Sequence, residues 1–270
     1  MNEHHASATQ QPPRPQPYGP WFGVARFGVA EFRSAPGRDE GWLTFDEFCS
    51  DAWLDALVDD AHARLAVRGP LGRTASDLRA VASTVVLGLF SRAVSPAVGT
   101  EVAGQHSAAP HFAGLTGYVA DPATTFWRPA RPGEGGPGEI ATTAPVGPGA
   151  GAGSGVSSAE EVLERICVPL ADAFAARFGV PEKVLRGNLA AAVLGTHDVV
   201  RSTTPQLTQR SGAVVSRVLA HPLLTGTLEQ TPRGIMRTSC CQIHRLPVGF
   251  VCGNCPLVAA DTTTARRLRG

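Results

Sequence analysis

Four of the six cysteines in this chain lie within sixteen residues of one another, close to the C-terminus. They form an adjacent pair, Cys240 and Cys241, followed after ten residues by a C-x-x-C pair, Cys252 and Cys255. Four thiolates can complete the coordination of a [2Fe–2S] cluster or of one tetrahedral metal ion. The spacing therefore predicts a single metal site that is made by these four cysteines.

The adjacent pair bears on which metal such a site holds. Neighbouring side chains point to opposite faces of a strand and diverge by about 100° around a helix, so joint ligation by Cys240 and Cys241 requires a turn. A two-iron cluster relaxes this demand because the two sulfurs can bind different irons, whereas structural zinc sites use two C-x-x-C-like knuckles. The spacing favours iron–sulfur over zinc. It matches neither common ferredoxin spacing, so zinc, a disulfide or a chance grouping stay open as alternatives.

The amino-acid composition bears on which partners the protein has and where in the cell it works. The chain has 270 residues, 43% of them hydrophobic, with a mean hydropathy of −0.01 and a net charge of +1. No strong positive field favours a nucleic-acid partner, and the longest mid-chain apolar run, 84–90, is far shorter than the roughly 20 residues of a membrane span. We expect a cytoplasmic protein with at most peripheral membrane association, in which thiols stay reduced.

The patterning predicts an α+β fold that is mainly helical, with a short β element mid-chain and a C-terminal cysteine-rich cluster loop. Polar, Pro-rich or Gly-rich stretches mark the ends and one interruption. The predicted organisation is a disordered N-terminal arm at 1–20, a mainly helical domain at 21–236 with a flexible Gly/Pro-rich insertion at 131–156, a cluster-binding segment at 237–258 and a basic tail at 259–270.

Capping and breaking residues predict the individual elements. Residues 44–47 and 158–161 resemble capping boxes, Gly179 closes a helix, and Ser95-Pro96 is expected to end one helix and begin another. Aromatic and β-branched residues favour strands in 111–130 and, more weakly, an early strand in 21–35. The expected helices cover roughly 48–65, 76–93, 95–104, 158–178, 181–200 and 205–220.

The cysteine segment resembles the C-terminal motif of the FhuF-type ferric-siderophore reductases. That family carries a [2Fe–2S] cluster on a Cys-Cys-x₁₀-Cys-x-x-Cys motif, and here Arg245, Pro247 and Gly249 lie between the two pairs. Weaker similarities, in the expected order, are residues 91–99 with a central Ser-Pro, Trp127-Arg-Pro, and the Gly187-Asn-Leu helix. The chain departs from the family after Cys241, where Gln242, Ile243 and His244 stand at positions that are often aromatic.

The resemblance implies a cofactor, a function and partners. The cofactor is a [2Fe–2S] cluster on Cys240, Cys241, Cys252 and Cys255. The function is one-electron reduction of a ferric siderophore to release Fe(II), with an unidentified electron donor (ferredoxin-like or a reductase) as the second partner. No catalytic residue is expected beyond the cluster. Two other functions stay open: a siderophore-binding or scaffold protein with a structural zinc site, and a [2Fe–2S] electron carrier for another partner.

Arginine is the expected means of tuning such a site. Residues 231–260 contain Arg233, Arg237 and Arg245 but no Asp or Glu. A four-thiolate [2Fe–2S] centre carries a charge of about −2 when oxidised and about −3 when reduced, so nearby cations stabilise the reduced form. Arg237 and Arg245 are therefore predicted to tune the cluster or to contact substrate, with solvent exposure or loop capping as the plain alternative.

Overall fold

A computed structural model describes residues 43–103, 118–121, 126–129, 158–248 and 252–257. Within these residues the protein is mostly helical, with short antiparallel strands and a C-terminal loop that carries the clustered cysteines. The predicted fold class is confirmed. The predicted arm, early strand, insertion and basic tail lie outside the described residues, and the domain boundaries stay predictions.

The helices, short helical turns and strands of the described residues have the following bounds. The helices are α1 (Phe45–Phe48), α2 (Asp51–Ala66), α3 (Ala75–Val102), α4 (Ser158–Val162), α5 (Val168–Phe178), α6 (Glu182–Thr203) and α7 (Thr208–Leu219). A π-helical segment, Leu163–Cys167, joins α4 to α5, and 3-10 turns lie at Pro205–Leu207, Pro222–Leu224 and Ile243–Arg245. The strands are β1 (Leu43–Thr44), β2 (Tyr118–Asp121), β3 (Phe126–Pro129), β4 (Leu228–Thr231) and β5 (Gly234–Arg237).

The packing of α3 against α6 forms the centre of the hydrophobic core. Along α6 one stripe of buried residues recurs every three or four positions, at Leu185, Leu189, Val193, Thr196 and Val200, and the first half of the helix buries residues beside this stripe as well. This period places them on one face of the helix. The opposite partner, α3, is apolar over most of its length, so both helices bury a continuous stripe that holds the chain segments of the site.

The expected break at Ser95-Pro96 is wrong, because α3 continues through it to Val102. A proline inside a helix costs about 3 kcal/mol. Beyond it the helix buries Val98 and Val102 completely, and each buried valine contributes about 1.5–3 kcal/mol. Packing thus outweighs the local preference to stop. The predicted helix end at Gly179 is confirmed, with this glycine in the left-handed region at φ 63°.

Two antiparallel sheets accompany the helices. The predicted mid-chain strands are confirmed: β2 pairs with β3, with Tyr118 opposite Pro129, and β1 extends the sheet on the other edge of β2. The β4–β5 hairpin was not predicted from the sequence, although Pro232-Arg233-Gly234 supplies its turn and Gly234 has φ 107°. This hairpin leads directly into the cysteine segment.

One described helix is long and apolar enough to cross a membrane, residues Ala75–Gly99 of α3. However, 65% of its most apolar stretch is buried inside the protein. A central core helix has the same length and composition, which agrees with the packing of α3 against α6.

Candidate iron–sulfur site

A sharp turn follows the adjacent cysteine pair. Gln242 has φ 66° and is the one non-glycine residue of the described chain in the left-handed region. Its backbone N–H donates to Cys240 Sγ at 3.3 Å, and the backbone N–H of Ile243 donates to Cys241. The turn that joint ligation requires is therefore present, and two backbone donors face the two sulfurs.

The C-x-x-C pair forms a second turn that docks on the end of β5. The backbone N–H of Cys255 donates to the carbonyl of Cys252 at 3.2 Å, which closes the turn. The backbone N–H of Arg237 donates to the carbonyl of Asn254 at 3.0 Å. The hairpin thus fixes the second cysteine pair beside the first, although ten residues separate the pairs in sequence.

The two turns bring the predicted cysteines together. Cys241 Sγ and Cys252 Sγ lie 3.5 Å apart and share a hydrogen bond, and Cys240 and Cys252 both interact electrostatically with Cys255. Cys241 and Cys255 are buried, whereas Cys240 and Cys252 are partly exposed. Within the described part of the chain, no group of three or more His, Cys, Asp or Glu side chains has the geometry of a single-metal site.

Arg237 lies wholly inside the protein, at 0% exposure, between these sulfurs and α6. Its Nη2 donates to Cys252 Sγ at 2.8 Å, it also bonds Cys241, and its Nη1 donates to Asn188 Oδ1 at 2.7 Å. Burial alone lowers the pKa of this guanidinium, but charge interactions and hydrogen bonds with Cys241 and Cys252 outweigh burial and raise the pKa. A buried cation needs anionic partners, and here they are cysteine sulfurs.

Three polar residues that sequence reasoning missed fix Arg237 and the loop to the helices. Asn188 and Ser83 are fully buried on α6 and α3, and the Ser83 hydroxyl donates to the Cys241 carbonyl at 2.8 Å. The Ser239 hydroxyl donates to the Lys183 carbonyl at 2.8 Å. The pair Gly187-Asn188 was itself a usable signal, because glycine and asparagine are both poor helix formers in the middle of an apolar helix.

The other predicted polar residues lie at the surface of the site. The Arg245 side chain is exposed on the last 3-10 turn and does not share the buried position of Arg237. His244 is half-buried, and its Nδ1 lies 3.4 Å from Cys240 Sγ. The structure thus separates the two arginines: Arg237 contacts the sulfurs, and Arg245 faces solvent.

The cysteine segment was compared with the models of known protein families. Residues 237–257 match the family model of the FhuF 2Fe-2S C-terminal domain. Residues 237–257, called the FhuF-type domain below, are thus similar to that 2Fe-2S domain. The match begins at Arg237 and includes all four cysteines, and it indicates a [2Fe–2S] cluster as the cofactor. Neither curated proteins nor solved structures gave a match to the chain.

The residues of the FhuF-type domain fit a cluster of this kind. Four thiols converge from two turns, and the Nε of Arg237 is buried without a hydrogen-bond partner among the described residues, so one more donor is free to face an acceptor. An anionic iron–sulfur centre supplies both acceptors and countercharge for a buried guanidinium. The ligand role of the four cysteines themselves stays a prediction.

The hydrogen bonds and charges around the buried Cys241 favour the thiolate form of this residue. The hydrogen bond with Cys252 lowers the pKa of Cys241, burial opposes it, and Arg237 and the Ile243 N–H lower it further. The same hydrogen bond and burial raise the pKa of Cys252. Burial raises the pKa of Cys240 against the Gln242 N–H. Cys241 is thus the sulfur best prepared to carry negative charge.

The two cysteines outside the domain, Cys49 and Cys167, are packed in or against the hydrophobic core. Cys167 has 0% exposure in the π-helical segment, and burial raises its pKa. Cys49 packs against the core, and burial together with the charge of Asp46 raises its pKa to about 12. Neither thiol is prepared for ligation or nucleophilic chemistry at neutral pH.

Proposed function

We propose that this protein is a cytoplasmic ferric-siderophore reductase that receives electrons from a ferredoxin-like protein or a reductase. The observation that best supports this function is the match of residues 237–257 to the FhuF 2Fe-2S domain, in which four cysteines lie close to a fully buried arginine. A bound [2Fe–2S] cluster supplies one electron at a time. The substrate's Fe(III), once reduced to Fe(II), binds the hard oxygen donors of a siderophore more weakly and leaves.

The residues of the site have two proposed roles: some stabilise the charge of the reduced cluster, and others face the substrate. Cys241 and Cys255 lie inside the protein, which keeps that side of the site dry, whereas Cys240 and Cys252 reach its surface. Arg237 offsets the negative charge that reduction adds. The proposed docking side for the ferric complex is therefore the Cys240 and Cys252 side. The exposed Arg245, five residues after Cys240, is proposed to add a positive charge for substrate docking.

The test is reoxidation of the reduced protein by its proposed substrate. Protein reduced anaerobically with dithionite, and freed of excess reductant, is mixed with ferric hydroxamate or catecholate complexes. We expect the absorbance of the oxidised cluster to return while an Fe(II)-specific chelator captures one Fe(II) per electron. The matched control is the Ga(III) complex of the same siderophore, which has the same shape and charge but accepts no electron.

Three outcomes would overturn the proposal. A colourless, zinc-loaded protein would leave the scaffold alternative. Failure of every ferric complex to reoxidise a cluster that other one-electron acceptors do reoxidise would leave an electron carrier for another partner. Equal reoxidation by the gallium complexes would mean that adventitious oxidant, not the ferric ion, accepts the electron.

A further inference from the structure

A chain of buried hydrogen bonds joins the cysteine sulfurs to the helical core through Asn188. Arg237 Nη1 donates to Asn188 Oδ1 at 2.7 Å, and Asn188 Nδ2 donates to the Ser83 carbonyl at 2.9 Å and to the Ser83 hydroxyl at 3.0 Å. All three side chains have 0% exposure. Asn188 is therefore a buried bridge between the arginine of the site and α3.

The bridge fixes one orientation of the Asn188 amide. Because both of its nitrogen contacts go to Ser83, only Oδ1 is left to face the guanidinium. With Nη1 held there, Nη2 lies 2.8 Å from Cys252 Sγ. Burying an amide is unfavourable unless its hydrogen bonds are made, and asparagine is a weak helix former. Helix stability alone would favour leucine at this position, so the amide serves the arginine.

The neutrality of Asn188 has an electrostatic consequence. A carboxylate at this position would bind the guanidinium more strongly but would cancel its charge. An amide oxygen orients the guanidinium and leaves its full positive charge acting on the sulfurs, in an interior where charges are weakly screened. A positive charge held there stabilises the additional negative charge of the reduced state.

We propose that Asn188 is a positioning residue that holds Arg237 against the cysteine sulfurs without adding a negative charge of its own and thereby raises the reduction potential of the cluster. The proposal rests on the cluster being bound by the four cysteines. It goes beyond the reductase activity, because it concerns the potential of the bound group whichever acceptor it serves.

Mediated potentiometric titration, followed by visible absorbance and EPR, tests this role in the full-length protein. Asn188→Asp keeps the size of the side chain and an oxygen for Arg237 but adds a negative charge, which stays ionised beside the guanidinium. Asn188→Leu keeps the number and branching of the side-chain heavy atoms and removes all three hydrogen bonds. Thr196→Val is the matched control, because Thr196 is a buried hydrogen-bonding residue on the same helix whose hydroxyl contacts Ser95 and the Ala192 carbonyl.

At the wild-type midpoint potential, we expect Asn188→Asp to lower the ratio of reduced to oxidised cluster at least tenfold, a shift of about 59 mV for one electron. Asn188→Leu should shift it in the same direction and change the EPR line shape, because the guanidinium loses its anchor. Thr196→Val should lower the free energy of unfolding without moving the midpoint.

Two results would overturn the proposal. One is a cluster-loaded Asn188→Asp protein whose midpoint equals that of Thr196→Val, which would reduce Asn188 to a structural role. The other is a raised midpoint in Asn188→Asp. If Asn188→Leu does not fold, the Asp variant decides alone. A wild-type protein without a cluster would refute the cofactor assignment itself. Its missing visible absorbance would distinguish that result from a change in the midpoint potential.

Discussion

Arg237 is the residue whose environment departs most from its type, since arginine is almost never fully buried unless it is paired. Its partners are the sulfurs of Cys241 and Cys252 and the oxygen of Asn188. Two of these are hydrogen bonds to charged or chargeable sulfur, each worth about 1.5–3 kcal/mol. The guanidinium therefore contributes both to the stability of the loop and to the charge of the site.

Replacing Arg237 by lysine separates charge from geometry. Lys keeps the positive charge but cannot serve Asn188 and two sulfurs from one rigid fork. We expect Arg237→Lys to retain the visible spectrum but to lower the free energy of unfolding by about 2 kcal/mol, measured by urea denaturation. Arg245→Lys is the matched control and should stay within about 0.5 kcal/mol of wild type, because that side chain is exposed. Equal stability of both variants would contradict the buried fork.

Removing one proposed ligand tests the ligand set directly. Cys252→Ser deletes a sulfur that contacts both Cys241 and Arg237. We expect loss of the visible charge-transfer absorbance in anaerobically purified protein. Cys49→Ser removes a thiol outside the domain and should leave that absorbance intact. An unchanged spectrum in Cys252→Ser would remove Cys252 from the ligand set.

Single functional residues could be predicted only where their types and spacing in the sequence indicate a particular chemistry. The four cysteines and both arginines could be picked from the sequence, but spacing does not tell that Arg237 is buried and Arg245 exposed. That difference arises because β5 ends at Arg237 and directs its side chain inward, under α6. Gly187-Asn188 stands out as an unusual pair in an apolar helix, but its role and that of Ser83 could not be predicted, because their partners lie about fifty or more residues away in the sequence.

At the scale of elements, close approach of the cysteine segment to α6 explains a glycine inside a helix. A Cβ at Gly187 would lie 2.3 Å from Ser239 Oγ and 3.6 Å from Ser239 Cβ. The clash is therefore with the hydroxyl, which donates to the Lys183 carbonyl. Gly187 lets the loop lie against the helix at the cost of about 1 kcal/mol of helix propensity.

A double-mutant cycle tests this contact. In wild-type protein, Gly187→Ala must displace the Ser239 hydroxyl, so the lost hydrogen bond offsets or exceeds the gain in helix propensity. In a Ser239→Ala background the same change should stabilise the protein by about 1 kcal/mol. We expect a coupling free energy of at least about 1 kcal/mol from urea denaturation. Additive effects would contradict the close approach.

Local signals predicted some elements and missed others for identifiable reasons. Gly179 marks a helix end because only its own φ is at issue. Pro96 misleads because the burial of Val98 and Val102, a tertiary effect, keeps α3 intact. The β4–β5 hairpin was missed because its strands are only four residues long and their burial does not alternate regularly between the two faces, so they lack a clear apolar pattern.

At the scale of the whole molecule, the cysteine loop is packed into the same core as the helices. Ile243 and Leu246 are buried there together with Cys241. The centre of that core, however, is the α3–α6 pair, which does not depend on the sulfurs. The helical part should therefore survive without the cluster, while the loop loses order.

Removal of the cluster by a chelator under oxidising conditions tests this division. We expect most of the helical circular dichroism to remain at 25 °C and the midpoint of thermal unfolding to fall, because bound metal contributes its binding free energy to the folded state. A mock-treated sample of the same protein is the control. Complete loss of helical signal would make the cluster a requirement for folding of the whole chain.

Whether the four C-terminal cysteines hold a [2Fe–2S] cluster is tested by metal analysis of anaerobically purified protein combined with EPR. We expect two iron and two acid-labile sulfide per chain, a coloured oxidised state without an EPR signal, and an S = 1/2 signal after reduction by one electron. A colourless protein with one zinc per chain and no labile sulfide would contradict this expectation.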